Sequence, residues 1–320
     1  MSCLSVSPLF SQEPQIETSR QFETEESLRR WRPTEEDEVS EEEKKEKEKK
    51  EKEGMEYASP SPGDEDLGVQ MLLKRREEYK PLTLFGDASA FYTSNATLVK
   101  DNAPGDWFWV GRVGASYQPR ILPNLLGEAT VQQQFFRYDE FKNLDFDSMN
   151  VGGGLTYIIQ EFWDIAVFGR YNFNRLTYGR DTINGEEDDE FFKNHTMTFG
   201  LQKIFPLARA HYLYIGHTSQ LAISEPSALQ RNDYSLFAGY NVKLTRDIEA
   251  QAGYRFAYFD YNFRGREDLN QTASLGATYK PIEWVSLFTS LSVGLNNSNQ
   301  PANDYKVYNA GGGFGVQVKF

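Results

Sequence analysis

The sequence predicts an all-β chain: a closed antiparallel transmembrane β-barrel of about twelve strands, preceded by a disordered N-terminal tail. Three observations carry that expectation. Apolar and polar residues alternate in segment after segment from residue 81 onward, the connections between segments alternate in length, and a hairpin-sized motif recurs six times.

The alternation has a period of two. Trp107, Trp109, Gly111, Val113, Ala115 and Tyr117 share one face of a strand, and Arg112, Ser116 and Gln118 share the other. Ile165, Val167, Gly169, Tyr171 and Phe173, with Trp163 before them, oppose Asp164, Arg170, Asn172 and Asn174. Side chains point to opposite sides of a strand in turn, so each segment has one apolar and one polar-to-small face. The same reading places strands at 82–93, 107–118, 125–137, 148–158, 163–174, 195–204, 211–219, 233–244, 248–259, 269–279, 285–295 and 307–320.

Short connections (119–124, 159–162, 245–247 and 280–284) take turns with long polar ones (94–106, 175–194, 220–232 and 296–306). Membrane barrels show short periplasmic turns and longer external loops, and that pattern puts both ends of the barrel segment on the periplasmic side. The repeat consists of Gly114-Ala-Ser-Tyr117, Gly154-Leu-Thr-Tyr157, Gly200-Leu-Gln-Lys203, Gly239-Tyr-Asn-Val242, Gly276-Ala-Thr-Tyr279 and Gly315-Val-Gln-Val318. Each closes an even-numbered strand, so the unit is one hairpin. A propeller blade needs four strands per repeat and is excluded.

Composition divides the chain at residue 80. Residues 1–80 carry 22 acidic and 14 basic side chains, and the net charge of −13 splits as −8 there and −5 in residues 81–320. Glu41 to Glu53 is a mixed-charge block with nothing to bury, for which disorder in a solvated periplasmic spacer is the expectation. The acidic balance excludes general nucleic-acid binding, which needs a basic footprint. Cys3 is the only cysteine, so no intrachain disulfide and no cysteine metal cluster can form. Met1 to Gln12 resembles the end of a secretory signal without its cationic start, and lipid attachment at Cys3 is left open by the two residues that precede it. No apolar run reaches the ~20 residues of a membrane helix, but spanning strands need only ~9–11 residues with every second one apolar.

A soluble sandwich would also alternate. The aromatic residues, however, gather near segment ends, where an interfacial girdle belongs. Tyr308, Ala310, Gly312, Phe314, Val316, Val318 and Phe320 share the apolar face of the last strand. With its Gly-x-x-Tyr hairpin ends, its Ser94-Asn95…Asp106-Trp107 and Ser298-Asn299…Asp304-Tyr305 loops and its terminal Phe320, the region 81–320 resembles the broad group of bacterial outer-membrane β-barrels that includes porin families built from degenerate hairpins. The resemblance implies location in the outer membrane, contact with its lipid, and recognition of Phe320 by the barrel assembly machinery. It implies no substrate.

If the apolar faces point outward, Arg112, Glu128, Gln132, Gln134, Arg170, Asn172, Glu249, Gln251 and Arg255 point into the lumen. Twelve strands lie between eight-strand barrels filled by side chains and sixteen-strand water channels. The expectation is therefore a narrow porin-like channel for small solutes, or a structural barrel whose interior is closed by Arg–Glu pairs. No cofactor or metal is implied. The one catalytic alternative is His217-Thr-Ser219, at the outer end of the seventh segment on an apolar face, with Asn232 as the orienting third residue. It resembles the His-x-Ser pair of outer-membrane phospholipases and lipid A deacylases, but Gln220 stands where those families have Asn. Ser219-Gln220 also coincides with the repeated Ser-Asn loop positions. His195 and His211 stand alone, and Glu186-Glu-Asp-Asp-Glu190 lacks the Gly-punctuated spacing of a calcium loop.

Overall fold

The computed structural model describes Arg20 and residues 79–179, 189–208 and 210–320. The expectations for the N-terminal tail, for Cys3 and for most of the 186–190 acidic run lie outside these residues.

Thirteen strands are present: β1 (Leu82–Thr93), β2 (Asp106–Tyr117), β3 (Arg120–Leu122), β4 (Leu125–Tyr138), β5 (Phe146–Ile159), β6 (Ile165–Tyr178), β7 (Glu190–Ala208), β8 (His211–Glu225), β9 (Arg231–Lys243), β10 (Ile248–Tyr261), β11 (Glu267–Ile282), β12 (Val285–Ser298) and β13 (Tyr305–Lys319). All pairings are antiparallel. The short β3 pairs only with the start of β4, while β2 reaches past it to pair with β4 along ten residues from Phe108↔Tyr138 to Tyr117↔Ala129. β1 then pairs with β13, from Thr83↔Lys319 to Thr93↔Asn309, and the ring closes. Twelve staves form the barrel.

Closure follows from solvent. In hydrocarbon an unpaired backbone N–H or C=O costs several kcal/mol, so a spanning sheet can have no edge. Among the described residues no helix is long and apolar enough to cross a membrane.

The alternation resolves into an outer and an inner face. On β2, Trp107, Trp109, Val113 and Tyr117 are exposed, whereas Phe108 and Val110 are buried and Arg112 half-buried. The other staves follow suit, with Val131, Val151, Leu155, Val167, Leu201, Leu236, Leu275 and Leu291 forming an exposed apolar belt. Aromatic residues rim it. Tyr117, Tyr157, Tyr279 and Trp284 lie at the short-turn end, and Tyr92, Trp107, Trp109 and Tyr308 at the long-loop end. The Tyr of each Gly-x-x-Tyr repeat is one of these rim residues. A soluble protein would not expose such a belt.

Three boundaries differ from the sequence reading. Most strands extend several residues further toward the long-loop end; β6 runs to Tyr178 and β8 to Glu225, so the connection expected over 220–232 shrinks to 226–230. The ladder there does not depend on one apolar outer face: β6 ends with Leu176 and Tyr178 buried inside, and β8 carries Leu221 and Ile223 outward beyond Ser219. Second, the connections 139–145 and 262–266 also lie at the long-loop end, and both are short. Third, Trp163 and Asp164 belong to a turn rather than to β6: both have left-handed backbones, φ 58° and 56°, and Trp163 is 80% exposed at the short-turn rim. Its alternation with Ile165 arises from chain direction alone.

Candidate functional site

The inner wall is built from four recurring parts: arginine–carboxylate pairs, aromatic rings, glycines and uncharged amides and hydroxyls.

Every arginine that the sequence places in the lumen is held against the wall. Arg112 Nη2 lies 2.6 Å from Asp87 Oδ2, its direct cross-strand partner, with its guanidinium over the Phe85 ring at 5.3 Å. Arg170 pairs with Glu128 and lies over Phe168 at 4.4 Å. Glu128 and Arg170 are two strands apart, on β4 and β6, with Gly154 of β5 between them. A Cβ on Gly154 would stand 2.6 Å from Arg170 Cγ and 2.6 Å from the Gly169 carbonyl oxygen. The missing side chain therefore opens the path by which Arg170 crosses β5. Arg255 donates to Asn270 Oδ1 at 3.3 Å, and Glu249 faces Lys280 at 4.0 Å.

The same arrangement explains the glycine repeat. A Cβ on Gly114 would meet Phe85 Cζ at 2.6 Å, and Phe168 covers Gly200 and Tyr214 covers Gly239 in the same way. Gln251 lies beside Gly276, where a Cβ would stand 2.9 Å from its Nε2. Large side chains from a neighbouring strand lie flat over inward-facing glycines, a packing that also shields the exposed backbone of a glycine in a sheet. Asn172 reaches over Gly152 likewise.

Toward the long-loop end the inner face is densely packed. Arg231 and Asp233 form a two-bonded pair, Nε to Oδ1 at 2.6 Å and Nη2 to Oδ2 at 2.8 Å, with the guanidinium 3.7 Å from the Phe259 ring centre. Arg266 and Asp268 repeat it one hairpin on, Nη2 to Oδ2 at 2.7 Å, over the Tyr261 ring at 4.1 Å. Asn296 donates to Asp268 Oδ2 at 2.9 Å, and Asn270 donates to Asn296 Oδ1 at 3.2 Å. Arg231 and Asp268 are 2% and 1% exposed, and burial at that depth requires such saturation with hydrogen bonds. The opposite wall stacks Phe136 on Phe146 and Tyr178 on Phe191. These residues were not singled out from the sequence. The signal was Arg-x-Asp at the start of β9 and β11, since residues two apart share a strand face.

One row of the wall across β4 to β7 is uncharged and polar. Gln132, Asn150, Asn174 and Asn194 are successive cross-strand partners, and Ser224 continues the row on β8. Ser224 Oγ donates to Asn194 Oδ1 at 2.9 Å, and Asn174 donates to Ser148 Oγ at 3.0 Å. Other amide atoms have no partner: Gln132 Oε1, Gln134 Oε1 and both side-chain polar atoms of Gln202.

The catalytic alternative is half assembled. His217 Nε2 and Ser219 Oγ are 2.9 Å apart on the outer face. They lie in the middle of β8 rather than at its end, because the strand continues to Glu225. Their cross-strand partners are Leu201, Leu236, Phe199 and Tyr234. Asn232 is on the same face but four residues along β9 from Leu236, about 13 Å away by strand rise. Its Oδ1 accepts from the Ala222 backbone N–H at 3.2 Å. The structure thus brings His217 and Ser219 together and leaves Asn232 apart. The other two histidines also face outward, His195 bonded to the Tyr171 hydroxyl at 2.7 Å and His211 to that of Tyr240 at 2.5 Å.

With this geometry in place, comparison with known proteins decides the family. Residues 80–318 match the model described as TonB dependent receptor-like, beta-barrel. The chain belongs to this family. It is a bacterial outer-membrane β-barrel, as the apolar belt and the closed ring require. Among solved structures, an outer membrane channel from Pseudomonas putida F1 is similar with a TM-score of 0.52 at 11% identity, over 81% of this chain and 100% of that one. At that identity the likeness shows the shared barrel fold. The outer membrane channel DcaP of Acinetobacter baumannii aligns at a TM-score of 0.41 and 10% identity, over 74% of this chain and 96% of that chain. The translocator domain of autotransporter NalP from Neisseria meningitidis aligns at 0.40 and 13%, over 75% and 90%. No curated protein matches the sequence.

Proposed function

We propose that this TonB-dependent-receptor-like barrel is a narrow channel for small polar solutes, with its short turns and barrel ends in the periplasm and its long loops outside. The observation that carries the reading is the inner wall. A row of amides and hydroxyls runs from β4 to β8, a hydrogen-bonding lining of the kind a polar solute path uses. The flat side chains over Gly114, Gly154 and Gly200 lie along the wall instead of across the bore. The packed Arg231–Asp233 and Arg266–Asp268 clusters narrow the long-loop half. The full-length protein, refolded and added to a planar bilayer, is expected to give discrete current steps. Folded, inserted protein that leaves the bilayer silent would reject the channel.

A second reading rests on the 2.9 Å contact between His217 and Ser219, a polar pair placed against lipid where apolar residues are otherwise found. As a lipid hydrolase, the serine hydroxyl would attack an ester carbonyl while His217 takes its proton. Fatty-acid release from phospholipid that is lost in Ser219→Ala would support this reading, and no release by the wild type would remove it.

A further inference from the structure

We infer that the solute is neutral and rich in hydroxyl groups, of the sugar or polyol class, and that the amide row of β4 to β7 is its binding track. The inference rests on the channel reading and names the solute class for it.

Two independent features of the wall point the same way. The first is charge. Arg112 is matched by Asp87 and Lys280 faces Glu249 across neighbouring strands, and Arg170 is matched by Glu128 across β5. The Arg112 and Arg170 guanidinium planes are further occupied by Phe85 and Phe168. An entering ion would give up hydration and find each fixed charge already neutralised, so the wall offers ions little in return. The second feature is unmet hydrogen-bonding capacity. Gln132, in the row, and Gln134, two residues along the same face of β4, are 3% and 2% exposed, and the Oε1 of each has no partner. Leaving a buried polar atom unpaired costs roughly 1–3 kcal/mol, so such atoms in a native wall call for an explanation. A carboxamide presents one acceptor and two donors, and a sugar hydroxyl is both donor and acceptor. An amide wall matches such a molecule on both counts, while a carboxylate or phosphate could use only the donors.

The arrangement is also spatially ordered. Gln132, Asn150, Asn174 and Asn194 follow one another strand by strand, so the track runs around the wall rather than forming an isolated spot. Half-buried Asn172 is diagonally adjacent to Asn194 of the row.

The test is a calorimetric titration of the full-length, detergent-refolded protein with maltotriose and, separately, with gluconate, paired with ion current in a planar bilayer during maltotriose addition. Maltotriose is expected to bind and to reduce the current, and gluconate to bind at least about tenfold more weakly. The double variant Gln132→Leu/Gln134→Leu should weaken maltotriose binding about tenfold, as the loss of one or two hydrogen bonds implies. If that variant does not insert, Gln132→Asn, which withdraws the amide by one methylene, is expected to give the same ordering. Gluconate binding as tight as maltotriose, or variants that bind maltotriose like the wild type, would overturn the inference. Current without any maltotriose binding would overturn it while leaving the channel reading intact. Maltotriose binding without current would remove the channel and keep the site.

Discussion

Leu82 and Phe320 exchange backbone hydrogen bonds: the Phe320 N–H donates to the Leu82 carbonyl at 2.8 Å, and the Leu82 N–H to the Phe320 carbonyl at 3.3 Å. Phe320 thus closes the ring on the first residue of β1, and its ring is 57% exposed at the short-turn rim. Backbone closure is separable by substitution from the proposed recognition of the Phe320 ring by an assembly factor. Deleting Phe320 should reduce the heat-modifiable, membrane-inserted fraction. Phe320→Ala keeps both backbone bonds, so a comparable loss there would assign the effect to the aromatic ring. Full insertion of both variants would show that neither contribution matters.

Gly154 makes a second prediction. Gly154→Val would push the Arg170 stem off the wall and leave Glu128 without its partner. A loss of about 1–3 kcal/mol in unfolding free energy is expected, in the range of steric and unpaired-charge defects. Gly154→Val combined with Arg170→Ala removes the clash with the Arg170 stem and leaves that with the Gly169 carbonyl, so the double variant should lose less than the two single losses combined. Strict additivity would argue against the crossing path.

The long loops are tied to one another by side chains. Lys100 Nζ donates to Asp304 Oδ2 at 2.8 Å, linking the loop after β1 to the turn before β13. That bond, with help from the Ser298 N–H, holds the Asp304 carboxyl below its ordinary 3.8, and it raises the Lys100 ammonium above 10.5. The lowered acid contributes above its ordinary value, and that contribution is lost as pH falls through the depressed one. The raised base contributes below 10.5 and is lost as pH rises through its elevated value. A spin label at Ala103→Cys in a Cys3→Ser background should therefore be least mobile across neutral pH and loosen only at the acid and alkaline extremes. Lys100→Ala should abolish both transitions. A single transition centred near neutrality would contradict the tie.

Orientation is tested with the same loop. Ala103→Cys should react with an impermeant thiol reagent on intact cells, and Arg246→Cys, in the short turn between β9 and β10, should not. The reverse pattern would invert the barrel.

Much of this barrel was legible in the sequence, because a wall between lipid and lumen forces strict alternation. The bounds of β1 follow from it residue for residue. Its limits were equally physical. At the long-loop side the pattern changes while the hydrogen-bond ladder continues: the apolar residues of β6 switch to the inner face at Leu176 and Tyr178, and those of β8 resume at Leu221 and Ile223 only after the polar Thr218-Ser-Gln220. Trp163 fits the period of β6, and only a left-handed turn, invisible to hydrophobic patterning, removes it. The lumen residues were readable one by one, but their pairing was not. Nothing local says that Arg170 reaches over Gly154 to Glu128, or that Asp87 faces Arg112; both depend on register across strands. The Asp106 carboxylate likewise accepts the Glu140 and Phe141 backbone N–H groups of the next loop, giving the repeated loop aspartate a structural role.

The measurement that tests the self-compensated lumen most directly is the reversal potential of the refolded barrel in a KCl gradient, for the wild type and for Arg112→Ser/Arg170→Ser/Arg255→Ser. Paired charges predict a wild-type channel with almost no preference between potassium and chloride. The variant exposes Asp87 and Glu128 and should shift clearly toward cations. A strongly anion-selective wild type, or a variant with an unchanged reversal potential, would contradict the account.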